Sequence, residues 1–268
     1  MLLATDPDAD RCGVAVRVSD NQYKLLTGNE VGILLLDFIC SQRTKHGKMP
    51  KKPVFIKTIV TTDLAEKIAA HYGVETINVL TGFKFIGEMI GFLEHEGREN
   101  DYIFGFEESC GFLSGTYVRD KDAINAVILI CEMAAYYKKH GITLVDRLEE
   151  LYLKYGYSMN SLYSYKLSGL YGAEKIQKTM NSFRLNRNSF GHQKITEVID
   201  YSEGFQMLPK ANVIKYSFEN GSSLVIRPSG TEPKLKVYIS ILADNRDAAK
   251  GIESKLKVEV ESIINDEE

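Results

Sequence analysis

From residue 54 onward, short apolar runs of strand length alternate with longer stretches of helical spacing, and no other feature restricts the fold as much. Residues 54–60, 74–80 and 102–106 read as strands. Residues 63–72, 82–93 and 121–140 read as helices, with Gly73 and Gly141 ending the first and the last. Strands and helices taken in turn cover a sheet on both faces, so this stretch is expected to be a three-layer α/β domain, closed by a further helix over 143–155.

The flanks have a different character. Residues 14–18 and 23–26 read as a hairpin turning at Ser19-Asp20-Asn21, and Gly28-Asn29-Glu30 opens a helix through Val31, Leu34, Leu35, Phe38 and Ile39. The basic stretch 45–53, with one Gly and two Pro, marks a boundary, and 156–161 marks a second. Beyond it come a strand over 161–167, a helix over 172–183, and strands near 195–201, 213–218, 223–227 and 235–242. A terminal helix over 246–264 carries Ile252, Leu256, Val260 and Ile263 on one face, which makes this part an α+β module. The expected segments are 1–47, 48–155 and 156–268. Met1 stands almost inside a strand, so a truncated amino terminus is expected.

Function is first narrowed by what the composition excludes. At 268 residues, 44% hydrophobic and 26% charged, the chain has a soluble composition sufficient for two or three domains, and its net charge of −3 offers no basic footprint for nucleic acid or an anionic membrane. The apolar stretches 31–40 and 123–135 are too short to span a bilayer and contain Asp37 and Glu132; with no signal peptide, a cytoplasmic location is expected. Cys12, Cys40, Cys110 and Cys131 show no CxxC spacing, which fits buried, reduced thiols and no zinc site. A small-molecule ligand follows.

The strongest chemical signal is Asp6-Pro7-Asp8-Ala9-Asp10-Arg11, directly after the apolar run Leu2-Leu3-Ala4. A tight turn at a strand end can converge residues i, i+2 and i+4, so Asp6, Asp8 and Asp10 are candidate Mg²⁺ ligands, with Arg11 facing the anion the metal holds. A solvated acidic turn is the plain alternative. An EF-hand loop fails because its sixth and twelfth positions are Arg11 and Arg17, whereas a phosphatase using Asp6 or Asp8 as nucleophile stays open.

Three further loops carry chemistry. Arg227-Pro228-Ser229-Gly230-Thr231-Glu232-Pro233-Lys234 joins two strands and offers a guanidinium, two hydroxyls, an ammonium and an approachable backbone N–H, the materials of a phosphate cradle; a plain turn is its alternative. Thr81-Gly82-Phe83-Lys84-Phe85-Ile86-Gly87 lies where a strand hands over to a helix, the usual ligand edge of an α/β sheet, and sets Lys84 between two aromatics. Gly105-Phe106-Glu107-Glu108-Ser109-Cys110-Gly111 follows the next strand, and its carboxylate and hydroxyl suit vicinal sugar hydroxyls better than glycoside hydrolysis. Downstream, Asp122 can cap the long helix, while Arg119 and Lys121 read equally as surface charge.

Taken in order, DPDADR, TGFKFIGE, FGFEESCG with RDKDA after it, and RPSGTEPK resemble the α-D-phosphohexomutase superfamily over the whole chain, in the phosphoglucomutase branch. The resemblance implies mixed-sheet α/β domains and a last α+β domain like the TATA-binding-protein fold, with residues 1–47 ending domain 2, 48–155 forming domain 3 and 156–268 domain 4. It implies Mg²⁺ on Asp6, Asp8 and Asp10, with Arg11 near the phosphorylated nucleophile and Lys84 touching the transferring or bound phosphate. Glu107 and Ser109 would bind the 3- and 4-hydroxyls of a phosphorylated hexose, Arg119 and Lys121 would lie in the substrate site, and Arg227, Ser229, Gly230 and Thr231 would hold the non-reacting phosphate. The implied activity is an isomerase of carbohydrate metabolism, an intramolecular phosphotransferase interconverting glucose 1-phosphate and glucose 6-phosphate through an enzyme phosphoserine and glucose 1,6-bisphosphate. Phosphomannomutase, phosphopentomutase or a non-catalytic sugar-phosphate-binding module are the alternatives. The family's serine lies in a TASHNP-like loop of domain 1 that this sequence lacks, so the chain is expected to need the missing amino-terminal domains as partner and to be inactive alone.

Overall fold

The computed structural model describes residues 1–167 and 172–265, in two compact units, Met1–Tyr155 and Gly156–Glu268. The segment expected over 156–268 therefore ends outside the described residues. In the first unit, β1 (Leu2–Thr5), β2 (Cys12–Ser19) and β3 (Gln22–Leu26) form an antiparallel sheet in that order, with Cys12, Val14, Val16 and Leu26 on its buried face. The Asp6 to Arg11 turn is the connection between β1 and β2.

Helix α1 (Gly28–Lys45) starts where Thr27 and Glu30 make a reciprocal capping box: Thr27 Oγ1 accepts from the Glu30 N–H at 3.2 Å and Glu30 Oε2 from the Thr27 N–H at 2.8 Å. Every residue from Val31 to Cys40 is buried, including Asp37. The helix is apolar all round because β4 (Val54–Thr58), α2 (Leu64–His71), β5 (Glu75–Val79), α3 (Phe83–His95), β6 (Tyr102–Glu107), β7 (Gly111–Leu113), α4 (Ala123–Lys139) and α5 (Leu144–Tyr155) complete the same unit, and it packs against α2, β6, α4 and α5. The basic linker at 45–53 thus stays inside the unit.

The central sheet runs β5-β4-β6-β7, with β4 parallel to β5 and β6 and β7 antiparallel on β6. Residues 111–113 read as loop in the sequence, since three residues are too few for a periodic signal; pairing of Phe106 with Phe112 and of Glu107 with Gly111 makes them a strand. The loops after β4, β5 and β6 emerge at one edge, because Thr58 pairs with Val79 and Lys57 with Phe106.

The second unit is a six-stranded antiparallel sheet. In chain order its elements are β8 (Tyr157–Lys166), α6 (Gly172–Phe183), β9 (Ser189–Phe190), β10 (Gln193–Asp200), β11 (Ile214–Phe218), β12 (Ser223–Pro228), β13 (Lys234–Ala243) and α7 (Arg246–Asn265); across the sheet the strands run β8-β13-β12-β11-β10-β9. β8 begins at Tyr157, four residues before the expected strand, since its ladder with β13 continues to the Tyr157–Ala243 pair although residues 157–160 carry no apolar run. Met180 and Phe183 of α6 and Leu256 and Val260 of α7 close on Phe190, Tyr216, Leu224 and Ile226 of the sheet.

Candidate functional site

Asp6, Asp8 and Asp10 are brought together by a turn in which Ala9 takes the left-handed conformation at φ 56° and donates its N–H to the Asp6 carbonyl at 3.0 Å. One oxygen of each carboxylate lies within 4.8 Å of the others. Asp6 Oδ1 accepts from the backbone N–H of Arg11 at 3.0 Å and of Asp10 at 3.2 Å, and the Arg11 N–H is the main reason its carboxyl is held below the usual carboxylate range. Asp10 Oδ1 is buried with no hydrogen-bond partner. A buried carboxylate oxygen without a donor, beside two more carboxylates, suits a hard divalent cation, and the donor set is all oxygen, as Mg²⁺ requires. Arg11 stays at the rim, its Nε 4.0 Å from Asp6 Oδ2 and 3.8 Å from Asp10 Oδ1.

This acidic loop is docked on the loop after β6. The Cys12 N–H donates to the Cys110 carbonyl at 3.1 Å, Arg11 forms a bridge with Gly111, and the Ala123 N–H donates to the Ala9 carbonyl at 3.1 Å. Within the β6 loop, Glu107 is buried, and its Oε1 accepts from Ser109 Oγ at 3.0 Å, so the two residues share one face as their spacing suggests. Lys121 spans the junction, with Nζ 2.7 Å from Asp10 Oδ2 and 3.2 Å from Asp120 Oδ1. Burial pulls its pKa down, but the Asp10 and Asp120 carboxylates outweigh that and hold it above the ordinary lysine value. Gly111 makes room for this arrangement, because a Cβ there would lie 2.6 Å from Lys121 Cδ and 2.9 Å from Glu107 Cγ.

Lys84 lies in the first turn of α3, exposed, with Nζ 4.8 Å from the Phe85 ring centroid. Arg119 is held by the Thr116 carbonyl at 2.5 Å, the Val118 carbonyl at 3.2 Å and the Glu94 carboxylate. Asp122 caps α4, its Oδ1 accepting from the N–H groups of Ile124 at 2.8 Å and Asn125 at 3.0 Å. Burial pushes the Cys12 thiol up to about 11 and Cys40 to about 12, and it raises Cys110 as well, which disfavours a thiolate at these three positions. Cys131 is exposed on α4, so burial holds for Cys12 and Cys40 and fails for Cys131, whose helix turns it outward.

In the second unit, Arg227 stands at the end of β12, 5.6 Å from the Tyr238 ring centroid, and donates from Nη2 to Tyr238 Oη at 3.1 Å. Its Nε is buried with no hydrogen-bond partner. The hairpin beyond is closed by the Ser229 N–H donating to the Lys234 carbonyl at 2.7 Å, which leaves Gly230 and Thr231 exposed at its tip. Tyr238 was not legible as a site residue. Its only signal is the alternation along β13 that sets it beside β12.

Lys57 is a second such residue. Its side chain is fully buried, and Nζ donates to the Thr61 carbonyl at 3.1 Å and pairs with Asp63 at 3.4 Å and Glu66 at 3.0 Å. It thereby ties down the loop after β4, whose start reaches the β6 loop through Thr58 Oγ1 and Glu108 Oε2 at 3.5 Å. A lysine inside the apolar run Val54-Phe55-Ile56 was the available sign.

Known proteins resemble the chain on both units. Residues 27–155 match the phosphoglucomutase/phosphomannomutase alpha/beta/alpha domain III, and residues 175–262 match the C-terminal domain of phosphoglucomutase/phosphomannomutase. Phosphoglucomutase of Staphylococcus aureus (strain MRSA252) is 39% identical over 259 residues, covering 92% of this chain and 46% of that protein. The chain spans about half the length of the curated relatives it matches. Among solved structures, the pp63/parafusin phosphoglucomutase from Paramecium superposes with a TM-score of 0.71 at 22% identity, over 98% of this chain and 44% of that one. N-acetylphosphoglucosamine mutase of Aspergillus fumigatus, solved with GlcNAc-6P and magnesium, gives 0.55 at 15% identity, over 97% and 48%.

Proposed function

We propose that this chain, which belongs to the phosphoglucomutase/phosphomannomutase family, supplies the metal, sugar and phosphate loops of a phosphohexomutase that interconverts glucose 1-phosphate and glucose 6-phosphate. The observation that carries the reading is the docking of the acidic loop on the β6 loop, where the Cys12 N–H reaches the Cys110 carbonyl at 3.1 Å and Lys121 reaches Asp10 at 2.7 Å. Carboxylates for a cation and a carboxylate–hydroxyl pair for a sugar thus occupy one wall.

In this reading Asp6, Asp8 and Asp10 hold Mg²⁺, which when bound neutralises charge developing on a transferring phosphoryl group. Glu107 and Ser109, whose own proton goes to Glu107, both accept from adjacent sugar hydroxyls, which orients the hexose. Exposed Lys84 offers its ammonium to a phosphate at the same edge of the sheet, and Arg11 adds a guanidinium at the rim of the acidic loop. In the second unit Arg227, the Ser229 hydroxyl and the N–H groups of Gly230 and Thr231 hold the phosphate that does not react. Positioning and fixed charge are what these residues contribute, since phosphoryl transfer asks little covalent chemistry of the protein. The phosphatase alternative loses ground at Asp6, whose Oδ1 is engaged by two backbone N–H groups.

Family members use a phosphoserine that the TASHNP-like loop would carry, and glucose 1,6-bisphosphate is the intermediate this implies. The sequence contains no such loop, so the chain alone is proposed to lack turnover. The test is a coupled assay of glucose 6-phosphate formation from glucose 1-phosphate and glucose 1,6-bisphosphate. It is run with the chain alone and with a separately expressed polypeptide carrying the remaining domains of a relative. Activity confined to the mixture is expected; activity of the chain alone would overturn the proposal of inactivity, and activity of neither would count against the loops as a competent half.

A further inference from the structure

We infer that Lys121 is an internal counter-cation of the acidic loop, seated on Asp10 and displaced from it when a divalent ion binds; the inference rests on the metal site proposed above.

Three carboxylates with oxygens within 4.8 Å of one another carry a concentrated negative charge. Two cationic side chains face it among the described residues. Arg11 stands at the rim, half exposed, with its Nε no closer than 3.8 Å to Asp10. Lys121 is different: its side chain is 11% exposed and its ammonium makes the short contact to Asp10 Oδ2 at 2.7 Å. The other Asp10 oxygen has no hydrogen-bond partner, so the lysine satisfies half of that carboxylate and leaves the other half open.

The lysine also has a second carboxylate within reach. Its stem crosses Gly111, where a Cβ would lie 2.6 Å from Lys121 Cδ and 3.0 Å from Glu107 Oε1, so the same glycine lets Lys121 and the sugar-loop carboxylate approach each other. Asp120 supplies a second, exposed carboxylate at 3.2 Å. A lysine ammonium is a point charge on a flexible stem with three rotatable donors, and it can exchange one carboxylate for another without the geometric demands of a guanidinium. A divalent ion at Asp10 repels it, and the near carboxylate left to it is Asp120.

A residue that merely props Asp10 and a residue that competes with the metal differ in sign. Mn²⁺ is titrated into the full chain by calorimetry and by loss of the free-ion paramagnetic resonance signal, for the wild type, Lys121→Met and Lys121→Gln. Circular dichroism confirms that each variant is folded. Loss of one competing unit charge at a partly buried site is expected to tighten Mn²⁺ binding roughly three- to tenfold in both variants. Unchanged or weaker binding in the variants, with measurable binding in the wild type, overturns the inference and leaves the metal site standing. No Mn²⁺ binding by any of the three proteins overturns the metal site and the inference together.

Discussion

Asp37, fully buried in the middle of α1, accepts two hydrogen bonds on Oδ2 from Arg147 of α5, from Nε at 3.1 Å and from Nη2 at 2.8 Å. Tyr72 Oη donates to Asp37 Oδ1 at 2.9 Å and Tyr137 Oη to Oδ2 at 3.4 Å. One carboxylate thus gathers the end of α2, α4 and α5 around α1, the helix whose first turn abuts the sugar loop: a Cβ on Gly28 would lie 2.2 Å from the Glu108 carbonyl oxygen.

Removing one member of this network leaves a buried charge without its partner. Arg147→Met is expected to lower the unfolding free energy by about 3–5 kcal/mol, whereas replacing Asp37 and Arg147 together by apolar residues of similar volume should lose far less. Urea denaturation of the three proteins measures both. A double variant as unstable as the single one would show that the pair acts through its packing.

Gly87 is a contact point in α3. A Cβ there would lie 2.0 Å from the Arg119 carbonyl oxygen, a backbone atom that cannot rotate aside. Gly87→Ala should therefore destabilise the chain by about 1–3 kcal/mol despite alanine's better helix propensity. Gly91→Ala on the same helix meets nothing within 4 Å and should stabilise slightly. Thermal melts of the two variants are expected to shift in opposite directions.

Asp122 caps α4 and also accepts from Tyr117 Oη at 2.5 Å. Burial raises its pKa, but the Tyr117 hydroxyl and the Asn125 and Ile124 N–H groups outweigh it, so the folded carboxyl lies below its ordinary value. A depressed carboxyl pKa contributes stability that is fully present above the unfolded value and is lost as pH falls through the folded one. Asp122→Ala should cost about 1 kcal/mol at pH 7, and the gap from wild type should begin to close only below about pH 4. A gap that stays constant down to acid pH would assign the effect to something other than the ionised cap.

Arg227 depends on Tyr238 for its orientation. Arg227→Met is expected to weaken the binding of inorganic phosphate or a sugar phosphate at least tenfold, as loss of a charge-assisted contact should. Tyr238→Phe keeps the ring and removes only the hydroxyl that accepts from Nη2, so it should weaken binding about two- to fivefold. Phosphorus NMR line broadening measures both; equal affinity in all three proteins would place phosphate elsewhere.

Much of this molecule is legible in one dimension. The strand and helix alternation from Val54, the opening of α1 at Gly28-Asn29-Glu30, the apolar face of α7 and the turn that gathers Asp6, Asp8 and Asp10 are all local: each depends on residues within a few positions of one another, where spacing and backbone preference suffice. The pairing of Glu107 with Ser109 and the capping role of Asp122 belong to the same class.

Contacts between distant residues were decided by the tertiary structure. Nothing in the spacing of Asp10 and Lys121 announces that they meet at 2.7 Å, or that Arg119, two residues earlier, is instead held by Glu94. Lys57, Tyr238 and the Asp37 network likewise take their roles from partners on other elements. Strand β7 is too short to carry a periodic pattern and exists because β6 offers it a ladder. The division follows from the range of the forces: backbone propensity and side-chain periodicity act over a few residues and are written in sequence order, while burial and charge pairing act through space and become defined only once the sheet and its helices have set the distances.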